Sequence, residues 1–460
     1  MAGSLGSILS IARSALLSSQ KAVEVTSHNI ANASTPGYSR QRAQLVTGPA
    51  VLLPEGSFGT GVRVLDVERL RSTLLDGNFR EHSALHSGFE QRFQTLSEIE
   101  DVLAEPSDAG LAFALDAFWG AWGDLANNPS NSSARIAVGD RAGALVDAFH
   151  RMDGGLSQAD SNTFQRLNSF VGDVNQVSAQ IAAVNGEIIA AEAAGKTAGD
   201  LRDRRDQLTD QLSQYLPIHV VERSDGGTGV YAAGLAIVDG SFSKTLTVTT
   251  GASYGIGFGG GTPISATGGG KIGASLDLLN VDIPAYRQQL DDFAAGLVGA
   301  VNTVHQTGTN AAGNTAVDFF DAVGVTARSI DLSATVRADA QAIAAGTPDG
   351  AGSYQAGEND VALALGQLRD ASQAALGGVS FGTHYGNFVT GIGADVSAAG
   401  SSMNAHDSIR SQSDIRRSSV SGVSIDEEMI NLMRFQQAFS AAARLITTAD
   451  EMMQTVVSMV

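Results

Sequence analysis

The sequence predicts a mainly α-helical protein with an inserted β-rich segment, in which helices from both chain ends form a discontinuous long-helix bundle. Apolar residues recur every seven positions near each end, which is the pattern of heptad helices. Short β-type runs separated by glycine, serine and threonine interrupt the helical pattern in the middle. The 460 residues contain 53 glycines but only 9 prolines, a balance that suits long helices joined to glycine-rich loops or strands.

The first element is a heptad helix from Ser4 to about Asn32. We expect it to end at Thr35, because Pro36 moves the preceding residue out of the helical region and Gly37 suits the third position of a type II turn. Residues 1–34 are therefore assigned to an inner axial domain. One core column is bulky and the other is small, and their members are Leu9, Leu16, Val23 and Ile30, and Leu5, Ala12, Ser19 and Thr26.

Residues 35–216 and 283–419 are predicted to form a helical bundle domain with a short β-hairpin near Val62. Pro217 is predicted to end the first part of the bundle. Residues 217–282, between the two segments, are predicted to form a β-rich outer domain. The predicted bundle helices cover about 69–104, 111–127, 133–152, 167–191, a stretch ending at 216, 283–305, 360–376 and a serine-rich stretch to about 419.

The last element is a heptad helix that runs from Ser424 to the end of the chain. Ser424 and Glu427 have the spacing of a capping box. Because a solitary helix with such a seam is marginal in water, we expect residues 420–460 and 1–34 to pair with each other and with neighbouring copies. Packing of each end on the chain's own bundle is the alternative. The two core columns are Ile425, Leu432, Phe439, Ile446 and Met453, and Phe435, Ala442, Ala449 and Val456.

Charge and composition argue against several partner classes. The formal net charge is -19, which disfavours non-specific binding to nucleic acid or to an anionic membrane surface. The sequence has no cysteine, and this excludes disulfides and thiolate chemistry. No apolar stretch approaches about 18 residues, so membrane insertion is not expected, and residues 1–9 lack the features of a cleaved signal peptide.

The sequence offers no convergent set of catalytic residues, and we predict no enzyme activity, cofactor or metal site. His82 and His86 are four apart on one predicted helix but lack a matched third ligand. The glycine runs 255–261 and 268–270 are interpreted as hairpin glycines. The run LRDRRDQL at 201–208 is interpreted as ion pairs within a solvated helix face, and Asp426, Glu427 and Glu428 as charges complementing the helix dipole.

Four blocks in the same order resemble one protein family. They are NIANASTPGYSRQR at 29–42, LRDRRDQL at 201–208, VNTVHQTGTNAAGNTAVDFF at 301–320 and SGVSIDEEMINLMRFQQAFSAAARLITTADEMM at 421–453. The two ends are similar to those of bacterial flagellar axial proteins in general. The whole set resembles the FlgK-type hook-associated proteins of the hook–filament junction, the hook-associated protein 1 family. The chain is short for that family after Phe320.

The resemblance implies a structural adaptor between flagellar hook and filament that is needed for filament assembly. It implies a homo-oligomer in a helical tube, contacts with hook protein and the next hook-associated protein, and an export chaperone for the C-terminal helix. It also implies an extracellular location in the flagellum, reached through type III export without a cleaved signal peptide. The residues expected in the axial core are Leu5, Leu9, Leu16, Val23, Ile30, Ile425, Leu432, Phe435, Phe439, Ile446 and Met453. The family-motif turn corresponds to Asn29, Asn32, Pro36, Gly37 and Tyr38.

Three other functions compete with this interpretation. Another axial component, a hook or rod protein, would share both chain ends. An exported enzyme would need a polar site in the β-rich segment. A surface adhesin would use the glycine-rich segment 218–271 for binding.

Overall fold

The computed structural model describes residues 2–53, 56–103, 105–108, 110–259 and 269–458. Long helices dominate it, as the sequence predicts. The helices are α1 (Ala2–Ala31), α2 (Thr73–Leu103), α3 (Leu111–Asn127), α4 (Ser132–Ala193), α5 (Gly199–Ser213), α6 (Gly270–Asp277), α7 (Ile283–His305), α8 (Ala334–Ala338), α9 (Asp360–Gln367), α10 (Phe381–Ser421) and α11 (Ile425–Ser458). A π-helical turn, Leu278–Asp282, joins α6 to α7.

The strands are short and pair in antiparallel fashion where the register is defined. They are β1 (Gln41–Thr47), β2 (Val51–Leu53), β3 (Gly56–Phe58), β4 (Val62–Arg69), β5 (His219–Glu222), β6 (Thr228–Ala232), β7 (Leu235–Asp239), β8 (Phe242–Ser243), β9 (Leu246–Thr249) and β10 (Gly255–Phe258). β1 pairs with β4, β2 with β3 and β9 with β10, while β5 to β8 form one four-stranded sheet in chain order.

Several predicted boundaries are wrong. The helices expected at 133–152 and 167–191 are one helix of 62 residues. This helix continues through Gly155, where an added Cβ would lie 2.1 Å from a methyl carbon of Val102. This glycine therefore permits close packing of α4 on α2 at a small local cost. Within the predicted β-rich segment, β6 and β7 are joined at Ala233 and Gly234, which both have positive φ.

The end of the predicted β-rich segment is helical. Gly269 and Gly270 lead into α6 with φ values of 141° and 75°, so the interpretation of these glycines as a hairpin is wrong. A Cβ on Gly88 of α2 would lie 3.0 Å from the Gly270 nitrogen, so the glycines allow two backbones to approach. Residues 260–268, which include the end of the first glycine run and Gly268, lie outside the described residues.

The chain divides into two compact units. Unit 1 comprises residues 1–85, 172–246 and 405–460, and unit 2 comprises 86–171 and 247–404. The strands assigned to one outer domain are shared between the units, because β5 to β8 belong to unit 1 and β10 to unit 2. The division into axial, bundle and outer domains stays a prediction.

In unit 1, α1 packs against α11 on one side and against the β1–β4 hairpin on another. The Ser18 hydroxyl donates to the Val62 carbonyl at 3.0 Å, which ties the helix to β4. The four-stranded sheet is fixed to α4 by Asn185, a fully buried residue. Its amide nitrogen donates to the carbonyls of Thr228 and Gly240 at 3.0 and 2.8 Å.

Unit 2 encloses an aromatic core, and the block 301–320 braces it. Phe118, Trp122, Phe319 and Phe320 are fully buried, with ring centroids 4.8–6.2 Å apart along the contacting pairs. The side-chain oxygen of Asn302 accepts from the N–H groups of Phe319 and Phe320 at 2.9 Å each. The brace thus holds the two phenylalanines in place from α7.

His305, in the same block, is a neutral structural histidine. Its Nδ1 lies 2.7 Å from the Val317 carbonyl, and its Nε2 accepts from the Ala344 N–H at 3.0 Å. Accepting at Nε2 requires the proton to sit on Nδ1, where it can be donated to the carbonyl. Burial lowers the pKa of His305, and the nearby Val317 carbonyl and Asp318 only partly oppose this.

Candidate functional site: the terminal helix pair

The chain reverses after α1 through the four residues Thr35–Tyr38. The Tyr38 N–H donates to the Thr35 carbonyl at 3.2 Å and Gly37 has a φ of 76°, so the predicted type II turn is confirmed. A Cβ on Gly37 would lie 1.9 Å from Nε2 of Gln207 on α5. That side chain donates to the Pro36 carbonyl. Glycine is therefore required by the turn, and a side chain at this position would displace Gln207 from the Pro36 carbonyl.

Asn29 is the centre of the motif and is 1% exposed. Its Oδ1 accepts from the Tyr38 hydroxyl at 2.8 Å and from the Gln41 N–H at 2.9 Å. Its Nδ2 donates to the Gln41 carbonyl at 2.7 Å and to the Glu428 carboxylate at 3.0 Å. An asparagine amide has two donor and two acceptor positions, and all four are used.

The other motif residues complete the same polar cluster. Asn32 donates to the His28 carbonyl at 3.0 Å and accepts from the Thr35 hydroxyl at 3.1 Å, which closes the end of α1. The Tyr38 hydroxyl also lies 3.0 Å from Nδ1 of His28. Burial raises the pKa of Tyr38, and the carboxylates around it add to the rise. Tyr38 therefore remains a neutral hydrogen-bond donor.

Glu428 brings the start of α11 into this cluster. It is 2% exposed, and its Oε1 accepts from Nε of Arg40 at 2.8 Å. Arg40 also donates to the Glu427 carboxylate at 2.9 Å, and its N–H donates to the Ser421 carbonyl at 2.8 Å. The interpretation of these acids as dipole charges alone is therefore wrong for Glu428. We call Asn29, Tyr38, Arg40, Gln41 and Glu428 the polar anchor.

The predicted capping box is present only in part in this geometry. The Glu427 N–H donates to the Ser424 hydroxyl at 3.5 Å, which is long for a hydrogen bond. The Glu427 carboxylate accepts from Arg40, as described above, and its side chain is 62% exposed. The start of α11 is therefore fixed mainly by contacts across unit 1 and less by its own cap.

The run LRDRRDQL forms α5 and points several of its charges into unit 1. Asp203 and Arg205 are 5% and 1% exposed, so the interpretation as a solvated face is wrong. One Arg69 nitrogen lies 2.5 Å from Asp203 and 2.7 Å from Asp206. The Ser39 N–H donates to Asp203 at 3.0 Å, which joins this network to the residues next to the anchor.

Further along α5, Asp210 continues the same network. Nε of Arg80 on α2 lies 2.6 Å from its carboxylate, and Arg417 of α10 also pairs with it. Burial alone would raise the pKa of Asp206, but Arg71, Arg69 and Arg80 together outweigh burial and lower it. The Asp206 carboxylate therefore stays charged, and the acids of α5 together hold three other segments of unit 1.

Helices α1 and α11, which carry the predicted axial-core residues, pack on one another. The helices are antiparallel, since Asn29 near the end of α1 meets Glu428 at the start of α11. In the small core column of α1, the described side chains of Ala12, Ser19 and Thr26 are buried. Leu9, Leu16, Val23, Ile30, Leu432, Phe435 and Ile446 are half-buried, while Ile425, Phe439 and Met453 are exposed; the side chain of Leu5 lies outside the described residues.

Many large apolar side chains of α11 are exposed within the chain. Ile430, Leu445 and Val457 are 62%, 52% and 76% exposed. We call the exposed stripe the following ten residues: Ile425, Met429, Ile430, Met433, Phe439, Leu445, Met452, Met453, Val456 and Val457. Isolated exposed apolar residues are ordinary on soluble proteins, but ten on one helix indicate a surface that binds a partner. Whether it contacts other subunits stays a prediction.

The histidines considered as metal ligands have other neighbours. Nδ1 of His82 lies 3.4 Å from Nδ1 of His406, and the two rings stack with centroids 5.7 Å apart. Nδ1 of His86 lies 3.3 Å from the Met403 carbonyl. Within the described ranges, no group of three or more histidine, aspartate or glutamate side chains is placed to hold a metal ion.

Two features of the site were missed by sequence reasoning, although signals for both exist. Glu428 lies seven positions before Phe435 and so belongs to the column of Ala442 and Ala449, which places an acid on the buried seam. The charges at 202–206 occupy five consecutive positions, and at about 100° per residue they surround the helix, so some must face inward.

Comparison with known proteins agrees with this arrangement. A family model described as "Flagellar hook-associated protein FlgK helical domain" matches residues 96–320. Models of the C-terminal part of basal body rod proteins of the FlgEFG type and of the flagella basal body rod protein match 417–459 and 9–38. Flagellar hook-associated protein 1 of Bacillus subtilis is 29% identical, over 98% of this chain and 97% of the relative. That of Escherichia coli is 26% identical, over 99% and 100%.

The chain is similar to flagellar hook-associated protein 1 over nearly its whole length. It is a structural protein of the bacterial flagellum. The structure of the flagellar hook junction protein FlgK from Burkholderia pseudomallei is similar in fold, with a TM-score of 0.67 at 16% identity, over 75% of this chain and 100% of that one. In this chain, three of the four motif blocks meet at the polar anchor and the adjoining α5 network. In the part of the chain that the structure describes, none of the helices is both long and apolar enough to cross a membrane.

Proposed function

We propose that this protein is the adaptor that joins the flagellar hook to the filament and that filament assembly requires it. The proposal is carried by two observations taken together. The chain is similar to hook-associated protein 1 over nearly its whole length, and α11 bears the exposed stripe. A structural adaptor needs surfaces for its neighbours, and the exposed stripe supplies apolar side chains for one.

The neighbours are further copies of the chain in a helical tube, together with hook protein and the next hook-associated protein. A tube of identical subunits requires head-to-tail contacts, in which one surface meets a different surface of the next copy. The predicted axial-core residues supply apolar side chains for such contacts, since burying each large one contributes about 1.5–3 kcal/mol. A chaperone that covers the C-terminal helix before export, and delivery of the chain outside the cell without a cleaved signal peptide, complete the proposal.

The test is electron microscopy of a deletion strain of the source bacterium, with flagellin measured in the medium. Complete hooks without filaments, and flagellin lost to the medium, are the expected result. Missing hooks would instead identify a hook or rod component, a possibility favoured by the rod models that match the two chain ends. Normal filaments would contradict both and favour an adhesin or enzyme.

Complementation with single variants tests the surface itself. Leu432→Asp should fail to restore filaments, because it adds a charge to the half-buried seam between copies. Val323→Asp is the matched control, since Val323 is 85% exposed and lies outside the terminal helices, and it should restore them. Equal motility of the two strains would contradict the assignment of the seam as a subunit contact.

A further inference from the structure

The C-terminal helix buries few side chains completely within its own chain, although Leu432, Phe435 and Ile446 are half-buried. Over the 34 residues of α11, the side chains described as buried are Glu428, Ala442 and Ala449. An alanine contributes only about 0.8 kcal/mol through its methyl group, so the two alanines supply little hydrophobic stabilisation. Of these three buried side chains, Glu428 is the one that makes hydrogen bonds, through its carboxylate.

The surroundings of position 428 accept only one kind of side chain. Asn29 cannot turn its amide over, because its Oδ1 is held by the Gln41 N–H and the Tyr38 hydroxyl, and its Nδ2 by the Gln41 carbonyl. The remaining proton on Nδ2 must therefore point at residue 428. From the other side, Nε of Arg40 points at the same residue.

Two donors thus converge on one side chain, and a carboxylate meets both with one oxygen each. A glutamine of the same shape offers one acceptor oxygen, and its NH₂ group would face a donor in either orientation. A buried donor without a partner costs about 1–3 kcal/mol, and more when it is charged. The site therefore discriminates between glutamate and glutamine, although the two differ little in volume.

We propose that Glu428 is the residue that docks α11 onto α1 in the single chain, and that without it the helix separates from α1. In the unassembled protein, this polar contact then contributes more to the docking of α11 on α1 than the apolar seam does. This goes beyond the role as an adaptor, because it concerns the chain before any neighbour covers the exposed stripe.

The test is hydrogen exchange of the full-length, unassembled protein, with Glu428→Gln compared to Glu427→Gln. Each change removes the charge of one partner of Arg40, and the two positions are adjacent. They differ in that the side chain of Glu427 is exposed and that of Glu428 is buried. We expect peptides from α11 to exchange at least about tenfold faster in E428Q, because hydrogen bonds to charged groups are worth about 1.5–3 kcal/mol. We expect less than about twofold in E427Q.

Peptides from α3 in unit 2 are the internal reference and should keep their protection. If E428Q unfolds unit 1 altogether, peptides from β6 will also lose protection, and the proposal of a local docking residue is overturned. Equal exchange in E428Q and E427Q would overturn it as well.

A double-mutant cycle supplies a second readout. If Arg40 acts on α11 through Glu428, R40Q/E428Q should accelerate exchange little beyond E428Q alone, whereas independent residues would give additive effects. Additivity would overturn the proposal. These experiments need no filament, so their failure would leave the adaptor role intact, and failure of the deletion test would leave the docking role intact.

Discussion

The core of unit 2 and the C-terminal helix of unit 1 are stabilised in opposite ways. Unit 2 surrounds fully buried aromatic rings such as Phe118 and Phe319, and a buried histidine and asparagine brace them. In α11 the large apolar side chains are exposed or half-buried, and a buried carboxylate with two partners holds the helix at one end. One region is stabilised by its own packing, and the other leaves large apolar side chains exposed.

The largest effect should come from a cavity in the unit 2 core. Phe319→Ala should lower the free energy of unfolding by about 3–5 kcal/mol, because the ring is fully buried among Phe118, Trp122 and His305. Both tryptophans of the chain, Trp119 and Trp122, lie in α3, so tryptophan fluorescence during urea unfolding reports on unit 2 alone. Val323→Ala is the control, and an equal loss there would contradict the comparison.

The second effect concerns the α5 network in unit 1. Asp206→Asn should destabilise unit 1 by about 3 kcal/mol, because it leaves Arg69, Arg71 and Arg80 short of a buried negative charge. Hydrogen exchange should show the loss in peptides of α5 and β4, while the urea midpoint followed by tryptophan fluorescence stays unchanged. Asp200→Asn, at a position whose side chain is 68% exposed, should change little.

The third effect is the dependence of unit 2 stability on pH. The pKa of His305 is lower in the folded protein than its ordinary value of about 6.5, so below that pH the unfolded chain binds a proton that the folded chain does not. Stability should therefore fall as the pH drops below about 6.5, by at most about 1.4 kcal/mol per pH unit from this group. His305→Gln should be less stable at neutral pH but should lose this part of the slope, as followed by tryptophan fluorescence.

The smallest effect should come from the exposed stripe. Phe439→Ala should change the stability of the unassembled chain by less than about 1 kcal/mol, because the ring is 37% exposed and so buries less apolar surface than Phe319 does. Thermal unfolding followed by circular dichroism measures this. A loss approaching that of Phe319→Ala would show that α11 is stabilised by its own apolar packing after all.

The features that the sequence predicts well are local ones. Helix α3 has the predicted bounds, and the turn at Pro36 and Gly37 follows from the restrictions that those two residues impose on the backbone. The pairing of α1 with α11 follows from heptads that are apolar at both ends, because each seam requires a partner. Periodicity alone could not decide which further chains share that seam.

The polar contacts could not be predicted because their partners are far apart in the sequence. Asn29 and Glu428 are separated by 399 positions, and Arg69 and Asp203 by 134. Local rules assign such charges to caps and to pairs on one helix, since these are the partners within reach of a short window. The continuity of α4 at Gly155 was missed for the same reason, because the contact with Val102 that uses the glycine lies on another helix.

The environment of Asn185 also protects the chain from chemical ageing. Asn185 is followed by Gly186, the pairing in which an asparagine side chain is most readily attacked by the next backbone nitrogen. Here the amide is held by the Thr228 and Gly240 carbonyls, and the backbone is fixed inside α4. The ring closure that begins deamidation would have to break these bonds, so the sequence position most prone to damage becomes one of the more durable ones in the fold.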